Sequence, residues 1–244
     1  MSSETPTPTL ALGRVLFRWR SFTPVPVIAL IAFLLWRSRG NVTPWDTALF
    51  AAGTLVALLG QVLRFYTLSW VSDGTSGQDD VLEAKQLNTR GPYAHVRNPL
   101  YVGNLLICVG LMIAARDPLA ALVGLAFFFG EYFFIIRAEE DFLRSQFGEK
   151  YEQFLRDVPR WVPRLTPAYG GKLREGKLDW KRGLKKEHNP FTAWSLGIVA
   201  LVAWEQLARG ATFQSLWPLG AIALQILVFF LAVKTWKRGW LSKR

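Results

Sequence analysis

The chain has 244 residues, is 51% hydrophobic with eleven Trp, and has a mean hydropathy of +0.19. Charged residues make up only 19% and are clustered, which excludes an ordinary soluble domain, since such a domain needs charge along every exposed face. The net charge of +11 sits in the flanks of apolar runs rather than on a nucleic-acid-binding face, and the one cysteine, Cys108, excludes a disulfide framework and a Cys-type metal site.

The first segment, 1–21, reads as a polar and basic tail with Arg14, Arg18 and Arg20 before the apolar run 22–36. RSRGN follows that run without a small-residue cleavage site, so a retained span is expected rather than a signal peptide. A second span is predicted over 45–70, opened by Thr43-Pro44 as N-cap and first turn. A third runs from Pro99 to Ala115, where Arg116-Asp117-Pro118 interrupts it, and a fourth, 119–136, follows at once as the second arm of a helical hairpin. The last two spans are predicted over 191–207 and 216–236. Most of these runs approach the ~20 residues needed to cross ~30 Å of hydrocarbon. No sustained period-2 alternation appears, so the fold class is all-α: a polytopic membrane bundle of about six transmembrane helices.

Lys and Arg set the orientation. The Arg14–Arg20 cluster, the long segment 137–190 and the tail 234–244 are expected on the cytoplasmic side with both termini, together with the loop 71–97. Arg37, Arg39, Arg116 and Arg209 are left for the opposite loops.

Two cytoplasmic segments carry more pattern than a loop needs. One is the elbow GPYAHVRNPLYVGN and its approach. The other, RAEEDFLRSQFGEKYEQFLRDVPRWVP, places Phe142, Leu143, Phe147, Tyr151, Phe154 and Leu155 at helical spacing and predicts an amphipathic helix at the membrane surface. Beyond it, the basic segment 166–190, with Leu173, Leu178, Trp180 and Leu184 interspersed, reads as a juxtamembrane anchor to anionic lipid, and His188 as an interfacial surface histidine. GTSG at 74–77 reads as a surface turn, with a phosphate nest as the alternative.

Soluble catalytic templates are missing. There is no HExxH, no Walker loop, no GxSxG elbow and no dinucleotide GxGxxG, and two histidines, His95 and His188, cannot build a His-rich metal cage. Polar groups at the ends of apolar helices remain: Arg64 in the second span, Arg97 and Asn98 before the third, and Arg137, Glu139 and Glu140 after the fourth. Ionisable groups at such depth mark a site. Pro99 suits a first helical turn, Asn98 suits the cap before it, and the orphan N–H groups there suit a carboxylate. Glu139 and Glu140 supply acceptors and negative charge. The combination suits a zwitterionic, cationic small molecule held at the membrane surface.

At these residues the chain resembles a known family. GPYAHVRNPLYVGN resembles the G-x-Y-x-x-x-R-H-P-x-Y-x-G signature of the isoprenylcysteine carboxyl methyltransferases, a family that also takes in phospholipid methyltransferases. The acidic pair, F-G-x-x-Y and V-P of the second segment resemble its other signature. The two stand in the family's order across a hairpin, and the likeness covers about 58–163. It implies an integral-membrane enzyme using S-adenosylmethionine, releasing S-adenosylhomocysteine, without a metal. By position, the implied cofactor contacts are Lys85, Gln86, Leu87, Asn88, Tyr93, Asn98, Pro99, Leu100, Tyr101 and Glu139. The implied catalytic residues are Arg137 and Glu140, with Arg97, Arg137 and Arg144 for the acceptor. The family's acceptor-binding arginine, four residues before the cofactor-binding glutamate, is replaced here by Ile135, and Asn98 stands where the family usually has histidine. Asn cannot shuttle a proton near neutral pH, which leans the acceptor towards an anion, carboxylate or phosphate, that needs no base.

The expected partners are the bilayer and a lipid or lipidated acceptor, with no nucleic acid. The expected organisation is a tail (1–21), two spans (22–70), a catalytic core (71–165), a basic segment (166–190), and two further spans with a basic tail (191–244). Two other readings are a nicotinamide-dependent reductase of sterol-reductase type and a non-catalytic membrane protein that kept the fold.

Overall fold

A computed structural model describes residues 7–37, 44–71, 84–168 and 178–241 of the chain. Among these, the regular structure is helical: α1 (Pro8–Trp19), α2 (Pro24–Arg37), α3 (Asp46–Trp70), α4 (Pro99–Ala115), α5 (Pro118–Phe147), α6 (Glu149–Asp157), α7 (Trp180–Ala208) and α8 (Trp217–Leu241), with 3-10 turns at Gly91–Ala94 and Phe213–Leu216. Four stretches are long and apolar enough to span a bilayer: Asp46–Trp70, Pro118–Phe147, Trp180–Ala208 and Phe213–Gly239. The pair α1 and α2, bent by 72°, supplies a fifth if it acts as one span. α4 has 17 residues and is the shorter apolar helix of the hairpin. The predicted apolar runs fall largely on α2, α3, α4, α5, α7 and α8. Only four of the described stretches, or five with the bent pair, are long and apolar enough to cross, where about six spans were expected. The chain is an integral membrane protein of bundle type.

α3 and α4 pack on small residues. A Cβ on Gly53 would lie 2.4 Å from the Gly110 carbonyl oxygen, and one on Gly60 would lie 2.5 Å from that of Gly103. Ala57 and Ala114 are fully buried in the same seam. Lipid tails are as apolar as Leu, so close backbone approach, rather than a hydrophobic drive, holds such helices together. α1 meets α5 similarly, with Gly13 against the Phe134 carbonyl.

The hairpin turn forms as its sequence predicts. Arg116 ends α4 in the left-handed region (φ 58°), its N–H bonding the Met112 and Ile113 carbonyls, and Asp117 caps α5 by accepting from the Ala120 N–H at 2.7 Å. The Arg116 guanidinium donates to the Asp46 carbonyl and pairs with Glu205, tying this end of the hairpin to α3 and α7.

Several expectations are corrected. Within the segment read as a polar and basic tail, Pro8–Trp19 is helical and Phe17 is buried. α3 starts at Asp46 with Trp45 at its cap, two residues after Pro44, while Thr43 lies outside the described residues. α5 runs on to Phe147, so the acidic pair belongs to the spanning helix, and the amphipathic helix is confined to Glu149–Asp157 beyond Gly148 (φ 52°). Of the segment 166–190 read as a juxtamembrane anchor, residues 180–190 form the first turns of α7, with Pro190 inside it. His188 is buried, not on the surface, and stacks on Phe230 of α8 at 5.5 Å. The GTSG turn lies outside the described residues.

Candidate active site

The elbow is joined by backbone to the end of the second signature and to the residues just after it. The Arg97 N–H donates to the Pro159 carbonyl, the Arg164 N–H to that of His95, and the Ala168 N–H to that of Ala94, each at 2.9 Å. Gly91 (φ 58°) turns the elbow where its backbone lies on the Trp70 ring, and a Cβ there would come within 2.8 Å of that ring. Asn98 starts α4 through its carbonyl, which accepts from Tyr101 and Val102 at 3.0 Å. Its side chain makes no cap, contrary to expectation, and instead donates to the Arg160 carbonyl at 3.4 Å.

Behind the elbow is a cavity of about 370 Å³. Its wall takes Gln86, Leu87, Asn88, Tyr93, Arg97, Asn98, Leu100, Tyr101, Glu139 and Glu140 from the predicted set. Lys85 is exposed and outside the wall, and Pro99 is buried in the first turn of α4 without lining it. Arg137 is exposed with its guanidinium over the Phe133 ring at 4.5 Å, and Arg144 is exposed and paired with Glu152; neither reaches the cavity.

The carboxylates differ. Glu140 accepts two bonds from Arg160, Nε at 3.0 Å and Nη2 at 2.5 Å, and lies 3.5 Å from Nη1 of Arg97. Glu139 lies beside Tyr101, and the Tyr101 ring meets that of Tyr132 edge-on at 4.7 Å. Burial, and then the charge of Glu139, push the Tyr93 hydroxyl well above the ordinary phenol range against a smaller pull from Arg64. It therefore stays a neutral donor at any physiological pH. Tyr151, buried under the cavity with Phe154 and Val158, is raised in the same sense by burial and by Glu140. Nε of Arg97 is buried without a hydrogen-bond partner.

A polar chain crosses four helices at the cavity's inner end. Arg64 of α3 pairs with Glu187 of α7 through Nε (3.0 Å) and Nη2 (2.6 Å), and its Nη1 donates to Asn104 of α4. Asn104 donates in turn to the Tyr132 hydroxyl of α5 at 2.7 Å. Gln61 donates to Glu187 at 2.8 Å and accepts from the Trp194 indole at 2.7 Å. Arg64, Asn104 and Tyr132 line the cavity, as do Arg20 and Ser21 from the α1–α2 bend and Lys186, Asn189 and Pro190 from α7.

Apart from Arg64, sequence reasoning missed this set. Asn104 carries a legible signal, since it stands three residues after Tyr101 on one helical face. Arg160, Arg20, Lys186 and Glu187 look like ordinary flanking charge. Among the described residues no group of three or more His, Cys, Asp or Glu is placed to hold a metal ion.

The Phospholipid methyltransferase family model matches residues 48–150. The nickel-cobalt-cadmium resistance protein NccN of Alcaligenes xylosoxydans xylosoxydans is 30% identical over 195 residues, 79% of this chain and 83% of that protein. The cobalt-zinc-cadmium resistance protein CzcN of Cupriavidus metallidurans is 30% identical over 181 residues, 73% of this chain and 76% of that one. The protein-S-isoprenylcysteine O-methyltransferase of Schizosaccharomyces pombe is 32% identical over 109 residues, covering 43% and 45%. No solved structure matches. Elbow, acidic pair and relatives agree, and the chain belongs to the isoprenylcysteine carboxyl methyltransferase and phospholipid methyltransferase family of membrane methyltransferases.

Proposed function

We propose that this methyltransferase takes its methyl group from S-adenosylmethionine and passes it to a lipid or lipidated acceptor, an anionic carboxylate or phosphate, at the cytoplasmic face. The observation that carries this reading is the cavity itself, where elbow, acidic pair and spanning helices share one wall. The residues present suit the cofactor. Arg97 stands in the wall with its Nε buried and unpartnered, so its side chain has hydrogen-bonding capacity and positive charge left for an anionic group. Glu139 offers charge and a lone pair to an ammonium or ribose hydroxyl. Gln86, Asn88, Tyr93, Asn98 and Tyr101 add neutral polar groups, with Leu87 and Leu100 as apolar wall.

When bound, S-adenosylmethionine supplies an activated methyl on a sulfonium that carries its own leaving group. The chain's part is then to orient and to exclude water, and orientation alone is worth about 7–11 kcal/mol in well-aligned cases. An anionic acceptor fits the carboxylates found here, because Glu140 is committed to Arg160 and Arg97 and is ill placed to take a proton. Of the three arginines first considered for the acceptor, Arg97 keeps the role; Arg137 and Arg144 stand outside the wall. The catalytic core of this proposal extends beyond 71–165 to include Arg64, the α1–α2 bend and the first turns of α7.

The test is calorimetric titration of detergent-purified protein with S-adenosylhomocysteine, beside a Glu139→Ala, Tyr101→Phe variant. Micromolar-range binding, lost in the variant, is the expected result. Absence of heat and of thermal stabilisation at saturating ligand would overturn the cofactor assignment and turn attention to nicotinamide cofactors.

A further inference from the structure

α7 lies outside the stretch matched by the family model, which ends at residue 150, yet it places one carboxylate against the cavity wall. Glu187 is 2% exposed, and both its oxygens are used: Oε1 by Nη2 of Arg64, Oε2 by Nε of Arg64 and by Gln61. The Arg64 guanidinium is thereby clamped in one plane, with Nη1 towards Asn104. Two of its five N–H groups are not engaged by these bonds. A bidentate pair of this kind fixes direction as well as charge.

The charge matters for the ligand. Four cations line the wall, Arg20, Arg64, Arg97 and Lys186, against two carboxylates, Glu139 and Glu140. Glu187, directly behind Arg64, is the third. S-adenosylmethionine carries one positive charge more than S-adenosylhomocysteine, and in a partly dry cavity one unit of charge is strongly felt. Resting on the cofactor reading above, we propose that Glu187 is a positioning and specificity-determining residue of the pocket. It holds Arg64 in the wall and cancels its charge, so that the cavity accepts a sulfonium cation.

The experiment is the ratio of affinities for S-adenosylmethionine and S-adenosylhomocysteine, measured by calorimetry at pH 8 on the full chain. Wild type is compared with Glu187→Gln, Arg64→Gln and the double variant. Glu187→Gln is expected to shift the ratio against S-adenosylmethionine by about tenfold, the order of effect of one unit charge at an effective dielectric of about 20. Arg64→Gln shifts it the other way, and the double variant returns it towards wild type. Because the two single variants move in opposite directions, either one suffices if the other gives no folded protein. A merely structural pair weakens both ligands alike, so an unchanged ratio across the variants overturns the proposal. Wild-type protein that binds neither ligand overturns the cofactor reading together with it.

Discussion

Glu140 and Arg160 meet side-on through two hydrogen bonds, from Nε at 3.0 Å and Nη2 at 2.5 Å, and so bolt α5 to the segment that follows α6. That segment carries backbone bonds to the elbow, so this ion pair ties the acidic pair to the stretch of chain that holds the elbow. The second glutamate of the acidic pair is therefore a strut of the pocket as much as part of its wall.

Removing either partner is expected to destabilise the protein. A fully buried pair costs about 3–5 kcal/mol when broken, and about 2–3 kcal/mol is expected here because the Arg160 side chain is 37% exposed. Glu140→Ala leaves Arg97 and Arg160 facing one another and should be the more damaging. Thermal unfolding in detergent of Glu140→Ala, Arg160→Ala and the double variant checks this. Additive losses would show that the two side chains act independently.

The glycine positions of the α3–α4 seam leave no room for a side chain. Gly60→Val and Gly110→Val would place Cβ atoms 2.5 and 2.4 Å from backbone carbonyl oxygens, so folded, monodisperse protein should be lost on gel filtration. Gly197→Ala and Gly220→Ala meet nothing within 4 Å. These should be neutral or should stabilise by up to about 1 kcal/mol through helix propensity. Equal outcomes at all four positions would contradict the packing described.

Asp117 caps α5 through the Ala120 N–H. Asp117→Ala is expected to cost about 1 kcal/mol, while Asp117→Asn, which keeps the acceptor, should cost much less. Reversible unfolding of the two variants measures the difference.

The buried phenols predict an alkaline limit. Tyr93 and Tyr151 are raised above the ordinary value of 10 chiefly by burial, so the folded state holds these protons more tightly than the unfolded state. Their contribution is complete below about pH 10 and is lost as pH rises above it. Melting temperature should be flat with respect to these groups from pH 7 to 9 and fall beyond about 10. Tyr93→Phe and Tyr151→Phe should each make that fall shallower; an identical slope in both variants would assign the loss to other groups.

The helical runs and the hairpin were legible in the sequence, although about six spans were expected and the described residues hold four, or five if the bent α1–α2 pair acts as one. Apolar length sets what can cross a bilayer, and Arg116-Asp117-Pro118 stops one helix and caps the next by local chemistry alone. The elbow and the acidic pair were legible as well, since they follow one another in the chain at fixed offsets. The contribution of α7 was not. In KKEHN, Glu187 and His188 look like the wet flank of a span, and neither composition nor periodicity says that Glu187 will meet an arginine 123 residues earlier. Residue spacing reports which face of a helix a side chain occupies; helix packing decides which face it meets. That packing here rests on glycines with no side chains to advertise it, and it buries the Arg64–Glu187 pair, exposes Arg137 and Arg144, and brings Arg20 into the wall.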